Sequence, residues 1–482
     1  MQIRPVLLAV GIMTLLLGFA MVPSALIDIA DGREDWAVFI ISAFGSIFFG
    51  GCLTLLAGRE EANSGPREAF FLTVLVWLVL PAVAAIPFLF AGHTLSDAVF
   101  ESVSGLTTTG STIMTGLDDM PRGILLWRAI LQWIGGIGII VTAIAILPML
   151  RVGGMQLFQI ESSDVSGKFL PRVTEIAAQT GIVYLVLSLL CGLLYNINGM
   201  NTFDSVAHAM TTMSAGGYST HDASMAYFGN GVSSVAILFM ILAGLPFASF
   251  VLLARGNPAP LLRDSQPRVY LGLMVGAIII LMAYNSIGSG AALFENSGDS
   301  LRTTAFNVAA VMTGTGYANA NYAAWGPGAT AIFLMLMFFG GCAGSAACGL
   351  KIFRLEIAGR AIISHLQRMT SPNRLAPVRY NDKVVDEDTI QSVLVFMFLY
   401  LATFVITAAL LGLTGLDAVT AISGAATSVS NVGPGLGSVI GPVGTFQSLP
   451  DAAKWICSIA MLLGRLEFIA VFVVLTPRFW RG

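Results

Sequence analysis

Long apolar runs constrain this chain more than any other feature of its sequence. Runs of about 20 residues recur along its 482 residues, and a helix needs that length to cross a lipid bilayer. With 56% hydrophobic and only 11% charged residues, the chain is not an ordinary soluble protein. We expect an all-α polytopic membrane protein with ten spans, at residues 7–28, 37–57, 69–92, 124–150, 178–199, 231–254, 269–290, 329–365, 391–413 and 453–475.

The distribution of charge predicts how these spans are oriented. Most of the 24 Lys and Arg residues fall on one side, which the positive-inside rule identifies as the cytoplasm. An even number of spans then places both termini there. The first run is long for the apolar core of a signal peptide and no clear cleavage site follows it, so we expect a retained helix. The opposite loops carry acidic residues such as Asp31, Asp118 and Asp222. These either give the outer mouth a mild negative potential or are simply solvated, and both interpretations stay open.

Four shorter apolar segments, each of which ends in a glycine-bearing turn, predict a fourfold repeat. They are too short to span a membrane, so we expect four re-entrant half-helices, at residues 95–107, 203–213, 301–312 and 417–429. Each begins near an aspartate suited to a helix N-terminus, namely Asp97, Asp204, Asp299 or Asp417. The key glycines that follow are Gly110, Gly217, Gly316 and Gly433, roughly 100 residues apart. The repeats cover 65–155, 175–257, 266–370 and 388–482, after two extra helices in 1–60, and predict pseudo-fourfold symmetry around a central pore.

The four turns have the chemistry of a cation filter. Backbone carbonyls from four such turns can form oxygen rings that replace the water around a bare cation. Each preceding half-helix would point the negative end of its dipole at the axis. Glycine allows close approach and positive φ, whereas four unlike turns suggest only moderate selectivity. The predicted filter residues are Thr108, Thr109, Gly110, Ala215, Gly216, Gly217, Gly314, Thr315, Gly316, Asn431, Val432 and Gly433.

The segment 340–349 interrupts the third repeat with ten small residues. Glycine costs up to about 1 kcal/mol in a helix interior, so its four glycines favour a break at membrane depth that could obstruct the pore. The same spacing also fits a close helix-packing face, and the sequence alone leaves both open. Arg465 lies in the middle of the last span, where we expect it to face the pore or to meet a carbonyl of this segment.

Seven motifs give the chain a resemblance to a known family. They are TTTGST at 107–112, QWIGGIGI at 132–139, SAGGYST at 214–220, TGTGYAN at 313–319, GGCAGSAACGLK at 340–351, SNVGPGLG at 430–437 and GRLE at 464–467. On these motifs the chain resembles, over essentially its whole length, the superfamily of potassium transporters that includes TrkH, TrkG, KtrB and HKT. Its two extra N-terminal spans are typical of the TrkH branch.

The resemblance implies potassium uptake across the bacterial inner membrane, with K⁺ as the transported ion and no organic cofactor in this chain. It implies a homodimer in membrane lipid and regulation by a cytosolic TrkA-like ring that binds nucleotides; no nucleic acid is expected as a partner. It also favours the gate over the packing face. The gating residues are then Gly340, Gly341, Gly344, Ser345, Gly349, Lys351 and Arg465.

Other functions are less compatible with these residues. An ion-coupled potassium symporter remains an alternative, although we see no intramembrane proton relay and expect His208 to be structural. A secondary transporter of another solute would need two matching halves rather than four repeats. An enzyme is not expected, because no nucleophile–base pair or metal cluster is evident. The five cysteines lie in apolar segments and are interpreted as packing residues, and the basic, then acidic segment 351–388 is either a docking surface or a solvated linker.

Overall fold

A computed structural model describes residues 2–58, 65–145, 169–287, 297–373, 375–381, 383–466 and 468–481. Two predicted spans, 124–150 and 269–290, end outside these residues. Six charged residues that contribute to the charge distribution along the sequence also lie outside them, namely Arg59, Arg151, Lys168, Glu295, Asp382 and Glu467.

The described residues are predominantly helical, as the apolar runs predict. The long helical stretches are Ile3–Ala20 with Val22–Ala30, Trp36–Ala57, Pro66–Ala84 with Ile86–Phe90, Arg122–Ala145, Phe169–Ile197, Ser265–Ile287 and Glu387–Leu413. Among the described residues, seven helices are long and apolar enough to cross a membrane, and eight if one bent pair is counted as a span. The all-helical polytopic fold is therefore confirmed, whereas the predicted count of ten spans is not reached in this part of the chain.

Three predicted spans are divided by a sharp bend or by residues that are not helical. Residues 231–254 form Asn230–Ala243 and Phe247–Ala254, which meet at 96°. Pro246 explains this break, because proline has no N–H to donate and its ring obstructs the preceding turn. The run 329–365 is divided into Pro327–Leu336 and Ile352–Thr370, with irregular backbone between them. The last run is divided into Asp451–Arg465 and Phe468–Leu475.

Four short helices lie at the positions of the predicted half-helices. They are Leu95–Leu106, Thr202–Met213, Ser297–Thr313 and Ala418–Ser430, hereafter short helices 1 to 4. Short helix 3 begins four residues before the predicted start at 301. Thr94, Asn201 and Asp417 cap the N-termini of short helices 1, 2 and 4 by accepting backbone N–H groups. Asp97, Asp204 and Asp299 lie instead in the first turns of their helices, where the helix dipole also favours an acid.

The remaining elements are small. The helices are Ala259–Arg263 and Pro477–Arg481, and the single-turn 3₁₀ helices are Leu117–Asp119, Ser224–Tyr227 and Tyr322–Trp325. Two strands, Arg379–Tyr380 and Lys383–Val384, pair antiparallel after the helix Ile352–Thr370.

The short helices lie inside the helical assembly rather than on its surface. In short helix 4 every residue from Ser423 to Ser430 is buried, and in short helix 1 every residue from Phe100 to Leu106 is buried. Short helix 4 packs between Glu387–Leu413 and Asp451–Arg465. This burial places the turns that follow the short helices at the centre of the protein.

Candidate functional site

The four turns that follow the short helices share one backbone conformation. We call them turns 1 to 4, at residues 108–110, 215–217, 314–316 and 431–433. The first residue of each has positive φ, at 53° for Thr108, 53° for Ala215, 74° for Gly314 and 53° for Asn431. The third residue does too, at 85° for Gly110, 74° for Gly217, 73° for Gly316 and 113° for Gly433. Because non-glycine residues rarely adopt this region, its recurrence at three of them indicates a conformation that the surrounding structure imposes.

The four turns form a closed ring. A Cβ built on the glycine of one turn would meet the middle carbonyl oxygen of the next: Gly110 meets Gly216, Gly217 meets Thr315, and Gly316 meets Val432. Gly433 closes the ring, because its Cβ would meet the carbonyl oxygen of Thr109. All four distances are under 3.0 Å, which is closer than real Cβ atoms come to another atom. Glycine is therefore required at these four positions by close approach as well as by φ.

Hydrogen bonds to the short helices hold the turns in place. The N–H groups of Thr109, Gly216 and Val432 donate to Ser104 O, Thr211 O and Thr427 O at 2.9, 2.9 and 3.1 Å. In turn 3 the corresponding bond runs from Gly316 N to Ala310 O at 2.9 Å. The turn N–H groups thus point back at the helices. Within the described part of the chain, the carbonyl oxygens of Thr109, Thr315 and Val432 accept no hydrogen bond.

Side chains connect turns 1 and 4 directly. Asn431 Nδ2 donates to Thr109 Oγ1 at 2.8 Å and to Met461 O at 3.0 Å. The Thr109 hydroxyl also bonds Thr107 Oγ1 at 2.7 Å, and Thr313 and Thr315 make the equivalent contact at 2.8 Å in the third repeat. The hydroxyls near the turns thus orient the turns and one another.

A cavity of about 280 Å³ adjoins the ring. Its lining includes the third-position glycines of all four turns, together with polar residues that follow turns 1 and 2. These include Ser111, Thr112, Ser219, His221 and Asp222. A water-accessible space therefore leads to the four turns from the side of the loops that follow them.

Several acidic residues of the outer side bond a basic or imidazole side chain. Asp97 bonds Lys454 Nζ at 2.6 Å, and Asp31 bonds Arg122. Asp118 bonds His221, whose other nitrogen lies 3.1 Å from Asp204 Oδ2. The hydrogen bond from Arg122 lowers the pKa of Asp31, and the hydrogen bond from His221 lowers that of Asp118. These particular carboxylates are bonded to neighbouring side chains rather than simply solvated.

The irregular segment 340–349 is fixed to the bend in the second repeat. Cys342 N and Ala346 N donate to Gly244 O and Ala243 O at 2.9 and 3.1 Å, and Phe247 N donates to Gly344 O at 3.1 Å. The backbone groups that lack helical partners at the bend are therefore bonded to backbone groups of the segment 340–349. Such partners are needed within a membrane, because no water is present there to bond the backbone. The segment is not a helix-packing face, because its residues are not helical.

Cys348 brings the segment 340–349 into contact with the turns. Cys348 N donates to Thr313 O at 3.3 Å, and its Sγ lies 3.6 Å from Thr108 Oγ1. Arg465 Nη1 approaches the same sulfur at 2.7 Å. We expected Arg465 to face the pore or to meet a carbonyl of this segment; its guanidinium contacts the thiol of Cys348.

The other predicted gating residues lie around this contact. Lys351 Nζ donates to Ala347 O at 2.5 Å and lies 3.4 Å from both Ser345 O and Ser345 Oγ. Its ammonium group therefore links the end of the segment back to its middle. A cavity of about 60 Å³ lies here, and its lining includes Gly344, Ser345, Gly349, Lys351 and Arg465. Gly340 and Gly341 lie at the start of the segment, where a Cβ on Gly340 would meet Cys348 O.

Sequence reasoning missed a buried ion pair behind turns 1 and 2. Arg128 is 1% exposed, and its Nε bonds Glu101 Oε1 at 2.8 Å. Its other nitrogens donate to Ser219 O at 2.9 Å and Thr112 Oγ1 at 3.1 Å. An acid within an apolar half-helix was the available signal, but nothing in the sequence paired it with Arg128.

His208 is structural in its contacts, as expected from the sequence. Its two ring nitrogens bond Asp204 O at 2.9 Å and Ser219 Oγ at 3.1 Å, and the side chain is fully buried. All five cysteines are free. Four of them are buried, Cys52 is half-buried, and Cys348 is the one that lies against a turn.

The chain matches known transport proteins over its whole length. Residues 36–481 match the TrkH family, described as a cation transport protein. The chain is 40% identical to the Trk system potassium uptake protein TrkI of Halomonas elongata, with 99% of this chain and 97% of that protein covered. It is 33% identical to the Trk system potassium uptake protein TrkH of Escherichia coli, with both chains fully covered.

The fold also matches that of a solved transporter structure. The crystal structure of the potassium transporter TrkH from Vibrio parahaemolyticus superposes with a TM-score of 0.91 at 30% identity, and each chain is covered completely. A family of transport proteins confirms that the chain is not an enzyme. On sequence and on structure, this chain belongs to the TrkH family of cation transport proteins, multi-pass proteins of the membrane.

Proposed function

We propose that this protein takes up potassium through a channel-like pore whose filter is the ring of turns 1 to 4. The closed ring carries the proposal, because it brings backbone oxygens from four repeats around one centre. Such oxygens can replace the hydration shell of a cation. The ion is inferred from the relatives, whose names describe potassium uptake.

The ring favours a cation for a second reason. Each turn follows the C-terminal end of a short helix, where the helix dipole is negative. Three middle carbonyl oxygens, those of Thr109, Thr315 and Val432, have lone pairs free of hydrogen bonds among the described residues. In this proposal the twelve residues of turns 1 to 4 bind K⁺, and no organic cofactor is required.

The segment 340–349 is the proposed gate, and Arg465 with Lys351 holds it closed. The contact of Cys348 with Thr108 and Thr313 O places the segment directly against turns 1 and 3. A guanidinium at this depth raises the barrier for a cation by Coulomb repulsion. Opening the gate requires that the hydrogen bonds to Ala243 and Gly244 be broken or exchanged.

Assembly and regulation follow from the relatives. The relatives are named as proteins of a Trk system, which supports association of this chain with other components of such a system. We propose a homodimer regulated by a cytosolic, nucleotide-binding TrkA-like ring. The excess of Lys and Arg on one side supports cytoplasmic termini in a bacterial inner membrane.

The decisive experiment measures rubidium and sodium flux into liposomes containing the purified protein. Wild type is compared with Gly316→Ser and with Gly256→Ser. Gly316 has φ 73° and faces Val432 O, whereas Gly256 has φ 84° with nothing within 4 Å. Both substitutions strain the backbone, but only the first disturbs the ring. We expect Gly316→Ser alone to lower the rubidium-to-sodium permeability ratio.

An unchanged ratio in Gly316→Ser would contradict the assignment of the filter. Flux of neither ion in the wild-type protein, with the TrkA-like ring present as well as absent, would contradict the proposed transport itself. Addition of the ring in the same assay tests regulation separately from selectivity.

A further inference from the structure

Gln132 holds turn 2 from behind. Its Nε2 donates to Gly216 O at 2.6 Å, and its Oε1 accepts from Tyr218 N at 3.0 Å. Because the Tyr218 N–H can only donate, these two bonds together fix which end of the amide faces Gly216. The side chain is fully buried on the helix Arg122–Ala145. Because this amide bonds turn 2 and the residue directly after it, we call it a clamp on that turn.

Turn 2 differs from the other three turns in this respect. The middle carbonyls of turns 1, 3 and 4 accept no hydrogen bond among the described residues, whereas the middle carbonyl of Gly216 is bonded to Gln132. The ring thus has three middle oxygens that accept no hydrogen bond among the described residues and one that does. Ion discrimination in carbonyl filters depends on the number, the field strength and the freedom of such oxygens.

The clamp is rigid because its own helix is fixed at two further points. Arg128 lies one turn before Gln132, on the same helix face. It bonds Glu101 of short helix 1 at 2.8 Å and Ser219 O at 2.9 Å, and its guanidinium lies 4.1 Å from the ring centre of Tyr218. A side chain would not fit at position 216, since a Cβ there would meet the side chain of Gln132 at 2.4 Å.

We propose that Gln132 is a selectivity-determining positioning residue. Its amide holds the Gly216 carbonyl oxygen at a fixed distance from the centre of the ring. The same hydrogen bond occupies one of the lone pairs with which that oxygen could bind an ion. The ring then resists contraction around an ion smaller than K⁺. This inference rests on the proposed function, because it presumes that turns 1 to 4 form the filter.

Two substitutions test the bonds of Gln132. Gln132→Leu removes both, and Gln132→Met removes both while it keeps nearly the length of the side chain and adds no charge beside the filter. A net hydrogen bond of about 0.5–1.5 kcal/mol corresponds to a change of roughly two- to tenfold in the rubidium-to-sodium permeability ratio. We expect that fall in both variants, in full-length protein in liposomes, with rubidium flux retained. Gln179→Leu, which removes an amide bonded to Glu175, is the matched control.

The outcomes distinguish this inference from its premise. A wild-type permeability ratio in a conducting Gln132→Met protein overturns the role of Gln132. A lower flux at an unchanged ratio does the same, because that is the effect of an ordinary structural residue. If Gly316→Ser lowers the ratio and neither Gln132 variant does, only the inference about Gln132 fails. If Gly316→Ser leaves the ratio unchanged, the filter itself is wrongly assigned. Should Gln132→Leu not fold, Gln132→Met, which is closer to Gln in length, carries the test.

Discussion

Arg465 and Cys348, which are 117 residues apart in sequence, meet at 2.7 Å between the guanidinium Nη1 and the thiol sulfur. Both side chains are buried, and the same sulfur lies 3.6 Å from Thr108 of turn 1. Within the described residues, Nε and Nη2 of Arg465 have no hydrogen-bond partner. A buried guanidinium that is only partly satisfied is costly. This contact is therefore a place where a small rearrangement can gain new bonds.

The first prediction concerns the charge of Arg465. Arg465→Ala should raise basal rubidium flux, because it removes both the repulsion of cations and the contact with Cys348. Arg465→Lys should raise it less, since the charge remains. Flux into liposomes, measured without any cytosolic partner, checks this, with the exposed Arg481→Ala as control. Equal basal flux in Arg465→Ala and wild type would contradict the proposal that Arg465 holds the gate closed.

The second prediction concerns the thiol rather than the charge. Cys348→Ala should raise basal flux because Arg465 loses its contact with the segment 340–349, whereas Cys348→Ser keeps a polar acceptor and should resemble wild type more closely. Cys52→Ala, in a half-buried position of the helix Trp36–Ala57, is the control. If Cys348→Ala keeps the basal flux of wild type, the sulfur packs against Arg465 without holding the gate.

The sequence was most informative where the same pattern recurs. The four triplets that start at Thr108, Ala215, Gly314 and Asn431 could be aligned because each follows a short apolar segment and contains glycine. The structure gives all four the same pair of positive φ angles. The ten small residues at 340–349 also carried a signal, because their four glycines disfavour a helix, but the sequence alone left a helix-packing face open as well.

Contacts between distant residues could not be predicted in the same way. Arg465 was identified as an anomaly, yet its partner depends on how two broken helices are placed around the axis. Arg128 and Glu101 are 27 residues apart on different helices, and no periodicity relates them. The bend at Pro246 had a local signal, but the apolar composition of 231–254 made a continuous span the stronger expectation.

The third prediction concerns the buried pair of Glu101 and Arg128. Removing one partner of a buried ion pair leaves an uncompensated charge and costs about 3–5 kcal/mol. Glu101→Gln and Arg128→Met should each lower the thermal unfolding temperature of the detergent-solubilised protein. The double variant should be destabilised by less than the sum of the two, since no charge is then left alone. Additive shifts would show that the two side chains act independently.

The fourth prediction separates the two roles of Asn431, which is at φ 53° and also bonds Thr109 Oγ1 and Met461 O. Asn431→Gly keeps the left-handed conformation and loses both bonds, whereas Asn431→Val loses the bonds and also opposes the conformation by about 1–2 kcal/mol or more. If backbone shape determines selectivity, Asn431→Gly should keep most of the rubidium-to-sodium permeability ratio and Asn431→Val should lose it. If the bond to Thr109 determines it, both variants should lose the ratio to the same extent. Because Val432 O lies between turns 3 and 4, we expect the backbone to dominate, so equal losses in the two variants would contradict this view of turn 4.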